Sequence, residues 1–351
     1  MIEKVYYGAS FIILILLGLT ATRTDLSNGK IYNRHLLKFL LIILLVDIAH
    51  VVITKQDIKT VLLFLTNFLV GTVIAILLYR WGAWAGGDAK LFSLVLLVVP
   101  KGIYPEGANY LFPGFWLLMS IFSLGFLYVF SETIYLVLKD LRKGGFQALK
   151  YQFPKGKEVV PKYVFAFMLT LVVNRFLTGL FPSEFLFSNL WLTYFGSIVT
   201  VLFLLKHIKG ATAYLFLAIL GGCLLVVFQG NMPWLNYKQL AGTILTAIAI
   251  VFTRSVGSLY NYKEIPTNQV SVGNILSFDT VLSFQRSKVS GLPCITTETT
   301  KSRLSSDEVQ SIKRWEMSKY GSNKIRIVRH FPFAPFIFLG SLLVFLRHFV
   351  I

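Results

Sequence analysis

Two short stretches carry the residues that could do chemistry. Thr22-Arg23-Thr24-Asp25-Leu26-Ser27-Asn28-Gly29 closes the first apolar run, and Ala85-Gly86-Gly87-Asp88-Ala89-Lys90 opens a later one. A carboxylate on a membrane segment costs about 3 kcal/mol even on lenient insertion scales, so each aspartate needs a reason to be there. A paired site would supply one. Two carboxyls that share a site resist ionising together, so the pair carries one proton. The ionised member can then take a proton from water while the protonated one polarises a peptide carbonyl, which is aspartic-peptidase chemistry. Gly86 and Gly87 suit it, because backbone without side chains can approach an extended peptide closely. Each aspartate alone has a plainer use: Asp88 as the cap of the helix it precedes, Asp25 as a loop residue before the Asn28-Gly29 turn. Lys90, within a turn of Asp88, would either act on that carboxyl or snorkel to lipid headgroups.

The elements that must position these residues are membrane helices. The chain has 351 residues, is 55% hydrophobic and only 14% charged, and its mean hydropathy is +0.68. A soluble domain is about 45–50% apolar and about 25% charged. The composition therefore predicts an all-α polytopic membrane protein. The net charge of +18 fits the positive-inside rule and anionic lipid headgroups, so no nucleic-acid partner is expected. Cys223 and Cys294 form no motif and have no histidine at ligand spacing, so neither a disulfide nor a metal or other cofactor is expected. Lys4 and the run to Ala21 imitate a secretory signal, but no small-residue cleavage site follows. The run reads as an uncleaved first helix.

About ten spans are expected, near 5–22, 36–53, 59–79, 89–104, 110–138, 163–181, 188–206, 211–228, 236–254 and 332–351. The fourth should be short, because Pro100 cannot sit inside a helix. If the N-terminus lies outside, the inside segments hold 27 Lys and Arg and the outside ones five. That asymmetry predicts a multi-pass protein of the cell membrane, with Asp25 and Asp88 both at the cytoplasmic face. Asn174-Arg175 falls mid-span and would pair with Glu184 or backbone carbonyls.

The expected organisation has five parts. Residues 1–138 form a membrane domain with both aspartates, and 139–162 a basic cytoplasmic loop resting on anionic headgroups. Additional spans occupy 163–254, a small cytoplasmic α+β subdomain 255–331, and a final span 332–351. Within the subdomain, Glu264–Phe284 reads as short strands broken at Gly273-Asn274, and Lys324–His330 as another. Ser305-Ser306-Asp307-Glu308 is a capping box ahead of a helix with Val309, Ile312 and Trp315 on one side.

These residues resemble the type IV prepilin and archaeal preflagellin peptidases, membrane aspartic proteases of the GxGD class. The first shared signature is an aspartate after the first span with an asparagine eight residues on, here Asp25 and Asn33. The second is the glycine-rich Asp-Ala-Lys that opens a later helix, here Gly86-Gly87-Asp88-Ala89-Lys90. Pro332-Phe-Ala-Pro335-Phe, leading into the last span, is a weaker echo. The likeness covers mainly residues 1–105 and the last span. It departs from the strict motif at Ala85, where the class has glycine. It implies Asp25 and Asp88 as catalytic residues, Gly86, Gly87, Lys90 and Asn33 in support, and no cofactor. The implied substrates are pilin- or archaellin-like precursors, cut after a short basic leader. The cysteine-rich domain and methyltransferase activity of many bacterial members have no counterpart here, and the basic stretch 255–331 is more similar to the archaeal long forms. Three other readings use the same features: a presenilin-like protease, an ion or proton transporter, and a catalytically dead assembly platform. The first would need a Tyr-Asp pair in an apolar run and a Pro-Ala-Leu segment, both lacking in the sequence; the second would be supported by inverted repeats, which are not evident.

Overall fold

A computed structural model describes residues 1–104, 111–142 and most of 262–350, with isolated positions between 165 and 221. The chain is mostly helical over these residues. In chain order the described helices are α1 (Ile2–Asn28), α2 (Asn33–Thr54), α3 (Ile58–Arg80), α4 (Gly86–Val98), α5 (Phe115–Arg142), α6 (Phe278–Phe284), α7 (Ser306–Glu316) and α8 (Ala334–Val350). Two strands, β1 (Tyr262–Pro266) and β2 (Lys324–Val328), pair antiparallel with Ile265 opposite Ile325.

Four helices, α1, α2, α3 and α5, are long and apolar enough to cross a membrane. Most α2 side chains are exposed, including Leu37, Leu41, Leu45 and Val52, while Leu36 and Ile43 are buried. A helix apolar on every side and bare over most of its surface suits lipid rather than water. The four spans expected between 163 and 254, Arg175 and the loop beyond Arg142 lie outside the described residues.

Contacts divide the chain into two compact units. One comprises Met1–Lys55, Thr72–Val99 and Leu259–Leu339; the other comprises Gln56–Gly71, Pro100–Ser258 and Gly340–Ile351. In the first unit α1, α2 and α4 pack on one another. Helix α4 has 13 residues, nine of them buried, from Asp88 and Ala89 through Leu91, Phe92 and Leu94 to Val98. At about 1.5 Å per residue it reaches only about 20 Å, short of the roughly 30 Å hydrocarbon layer, so its ends depend on surrounding protein. It stops at Val98, before Pro100, and a 3-10 turn at Lys101–Ile103 follows. In the second unit a polar residue within α3 does structural work: Asn67 Oδ1 accepts the Gly114 N–H at 2.7 Å, in a buried position just ahead of α5.

Residues 262–328 carry a core of their own, with Ile265, Leu276, Val281, Phe284, Ile312, Trp315 and Ile325 among its members. The capping box forms as read: Ser305 Oγ accepts the Glu308 N–H, and the Glu308 carboxylate accepts the Ser305 N–H at 2.8 Å. Val309, Ile312 and Trp315 are buried along one side of α7. One expectation is corrected. The stretch 278–284 is helical, not extended, because Ser277 caps it by accepting the Thr280 N–H. Val281 and Phe284, three apart, then share its buried face, and helical spacing with a cap outweighs the β-propensity of Val, Thr and Phe.

Candidate active site

Asp25 lies in the last turn of α1, not in a loop. The helix runs on to Asn28 and ends at Gly29 in the left-handed conformation (φ 59°), whose N–H bonds to the Asp25 carbonyl at 2.9 Å. Glycine fits that position without the steric cost of a Cβ. Asp25 is 4% exposed. Its Oδ2 accepts the backbone N–H of Ala334, the first residue of α8, at 3.1 Å.

Asp88 is the third residue of α4 rather than its cap, and it is 7% exposed. Its Oδ2 accepts the Ala85 N–H at 3.0 Å. This is the half of a capping box that an alanine at the N-cap allows, since alanine has no side-chain oxygen to return. Ala85 adopts φ −76° and ψ 158°, extended backbone open to any residue. The departure from glycine there is therefore free of strain.

The glycines have distinct surroundings. A Cβ on Gly87 would lie 3.0 Å from the Ile31 Cβ, whereas one on Gly86 would meet the Tyr79 ring at an ordinary 3.5 Å. Gly87 thus permits the start of α4 to press against the segment that follows Asp25. Beside it, Lys90 Nζ donates to Asn33 Oδ1 at 2.9 Å, joining the two sequence signatures directly.

Together these contacts bring the predicted residues to one end of the packed helices α1 and α4. Ile31 bears on Gly87, Asn33 on Lys90, and Trp84, just ahead of the motif, lies 5.2 Å from Phe92 and 5.6 Å from Phe333 by ring centroids. Phe333 precedes the residue whose amide holds Asp25. Arg303 Nη2 donates to the Gly29 carbonyl at 2.7 Å, so the polar subdomain also reaches the turn behind Asp25. The parts unforeseen in the sequence are Ile31, Trp84, Arg303 and the Ala334 amide. Only the last had a signal, the proline-flanked Pro332–Pro335 segment. No cluster of metal-ligating side chains occurs among the described residues.

No protein-family model, curated protein or solved structure matches the chain.

Proposed function

We propose that the protein is an integral-membrane aspartyl endopeptidase that removes short basic leaders from prepilin- or preflagellin-like precursors at the cytoplasmic membrane face. The supporting observation is the burial of two carboxyls, Asp25 and Asp88, at the ends of two contacting helices, each accepting a main-chain N–H. In this reading the pair works with one carboxyl ionised and the other protonated. The ionised carboxylate takes a proton from water as its oxygen attacks the scissile carbonyl. The protonated carboxyl hydrogen-bonds the carbonyl oxygen, and the tetrahedral intermediate collapses as the leaving amine gains a proton. Gly86 and Gly87 leave room for extended substrate backbone. Lys90 and Asn33 hold the two carboxylate-bearing segments in register.

The test is cleavage of a prepilin-like substrate by the detergent-purified chain, beside Asp25→Asn and Asp88→Asn. A shortened product from the native protein alone supports the reading; equal product from either variant sinks it. A second reading, ion or proton transport through the same aspartates, draws on a further protonatable cluster in α1 and α2, formed by Tyr6, Asp47 and His50. It predicts no product, but a flux into liposomes that Asp88→Asn abolishes.

A further inference from the structure

We infer that the Ala334 main-chain N–H is a positioning group for Asp25, so that the Pro332–Ala334 segment completes the site from the far end of the chain. This rests on the endopeptidase reading for its catalytic consequence, though not for its effect on the carboxyl. Ala334 is fully buried, and its N–H reaches Asp25 Oδ2 at 3.1 Å across 309 residues of sequence. Being the first residue of α8, it offers one of the four N–H groups that a helix leaves without an internal acceptor. The helix itself is closed behind it, the Phe336 and Ile337 N–H groups both bonding to the Phe333 carbonyl.

The approach is fixed at two heights. Gly18 and Asp25 are seven residues apart on one face of α1, and Ala334 and Phe338 are four apart on one face of α8. The Phe338 ring lies directly on Gly18, in the space a Cβ would fill. Phe331 stacks on Phe336 at 5.2 Å and 3°, and Phe333 meets Trp84, bracing the turn that aims the amide. A carboxylate that accepts an N–H fixed at a helix N-terminus is held in one orientation. Asp88 gets its amide from three residues away. Asp25 depends on a distant one.

A backbone ester is the test: incorporating lactic acid for Ala334 replaces the N–H by an oxygen and keeps the side chain, so it deletes the donor without putting a proline ring against the buried carboxyl 3.1 Å away. Ala334→Gly keeps the donor. In the ester kcat should fall about tenfold or more with KM little changed, and Ala334→Gly should keep the native kcat. An unchanged kcat in the folded ester overturns the inference. Infrared difference spectra of 13C-labelled aspartate, with Asp25→Asn subtracted, read the hydrogen bonding of the carboxyl without any cleavage. A displaced Asp25 band in the ester of a protein that cuts no substrate would keep the positioning and discard the peptidase; an unmoved band would discard the positioning alone.

Discussion

Two carboxyls on the first two helices are held in opposite ways. Asp25, at the end of α1, accepts a main-chain N–H whose direction is set by the helix that carries it. Asp47, on α2, instead accepts the phenol of Tyr6 at 3.0 Å, and His50 stacks on that ring at 3.8 Å and 7°. Its second oxygen is inaccessible and without a partner among the described residues, as is His50 Nε2. A side-chain donor can rotate, and it follows the packing of α1 on α2; a main-chain donor at a helix end cannot. The contrast separates a polar latch, tolerant of small shifts, from a group kept in one geometry.

The largest effect tests this division directly. Asp25→Asn and Asp88→Asn should each lower cleavage by at least about 10³-fold. Asp47→Asn, which keeps an acceptor for Tyr6, should leave cleavage unchanged and stability within about 1 kcal/mol. Loss of cleavage in Asp47→Asn without unfolding would erase the distinction. Next comes the seat of α8. Gly18→Leu must displace the Phe338 ring, and a shift of about 1 Å at Asp25 should cost on the order of 10²-fold in kcat while the protein stays folded by thermal melt. Gly87→Val, forced against Ile31, should cost about tenfold by moving Asp88, whereas Gly86→Ala should be mild. Lys90→Gln removes an exposed bond to Asn33, and a loss of under about 1 kcal/mol, seen as a few-fold change in rate, is expected.

The smallest effect belongs to the polar subdomain, away from both carboxyls. Tyr262 donates to Glu298 Oε2 at 2.8 Å. That bond, then burial and the acidic charges of Glu298 and Asp279, push the phenol above its usual value. A group whose pKa is raised on folding adds stability below its unfolded value, near 10, and the contribution is lost as pH climbs through the folded one. Because Tyr262 is 41% exposed, solvent screening keeps the effect small: the native protein should lose a little subdomain stability above about pH 10 that Tyr262→Phe, slightly weaker at neutral pH, has already lost. Hydrogen exchange across 262–298 reads the difference.

Much of this arrangement was legible in sequence, for physical reasons that can be named. Apolar length revealed α1, α2, α3 and α5, and Pro100 marked the end of α4. Ser305 and Glu308, three apart, announced α7. The aspartates stood out because charge is costly in lipid. Burial by distant chain was not legible: nothing within reach of Asp25 in sequence encodes the Ala334 amide. Nor could spacing reveal that Gly87 clears Ile31, since that fit depends on how α4 meets the α1–α2 connection. Residues 278–284 have the composition of a strand because β-branched and aromatic residues suit a small core in either conformation, and the Ser277 cap decides for the helix.

The bond between Asp25 and Ala334 also sets an order of events in the life of the chain. The carboxyl is made early and its amide 309 residues later. At ribosomal speeds of about 5–20 residues per second, the first helices wait on the order of tens of seconds in the bilayer before that donor exists. Through that interval a nascent molecule holds both aspartates but not the geometry that aims one of them. On the proposed endopeptidase reading, activity would switch on only with the arrival of α8, and a half-made chain would have no finished blade.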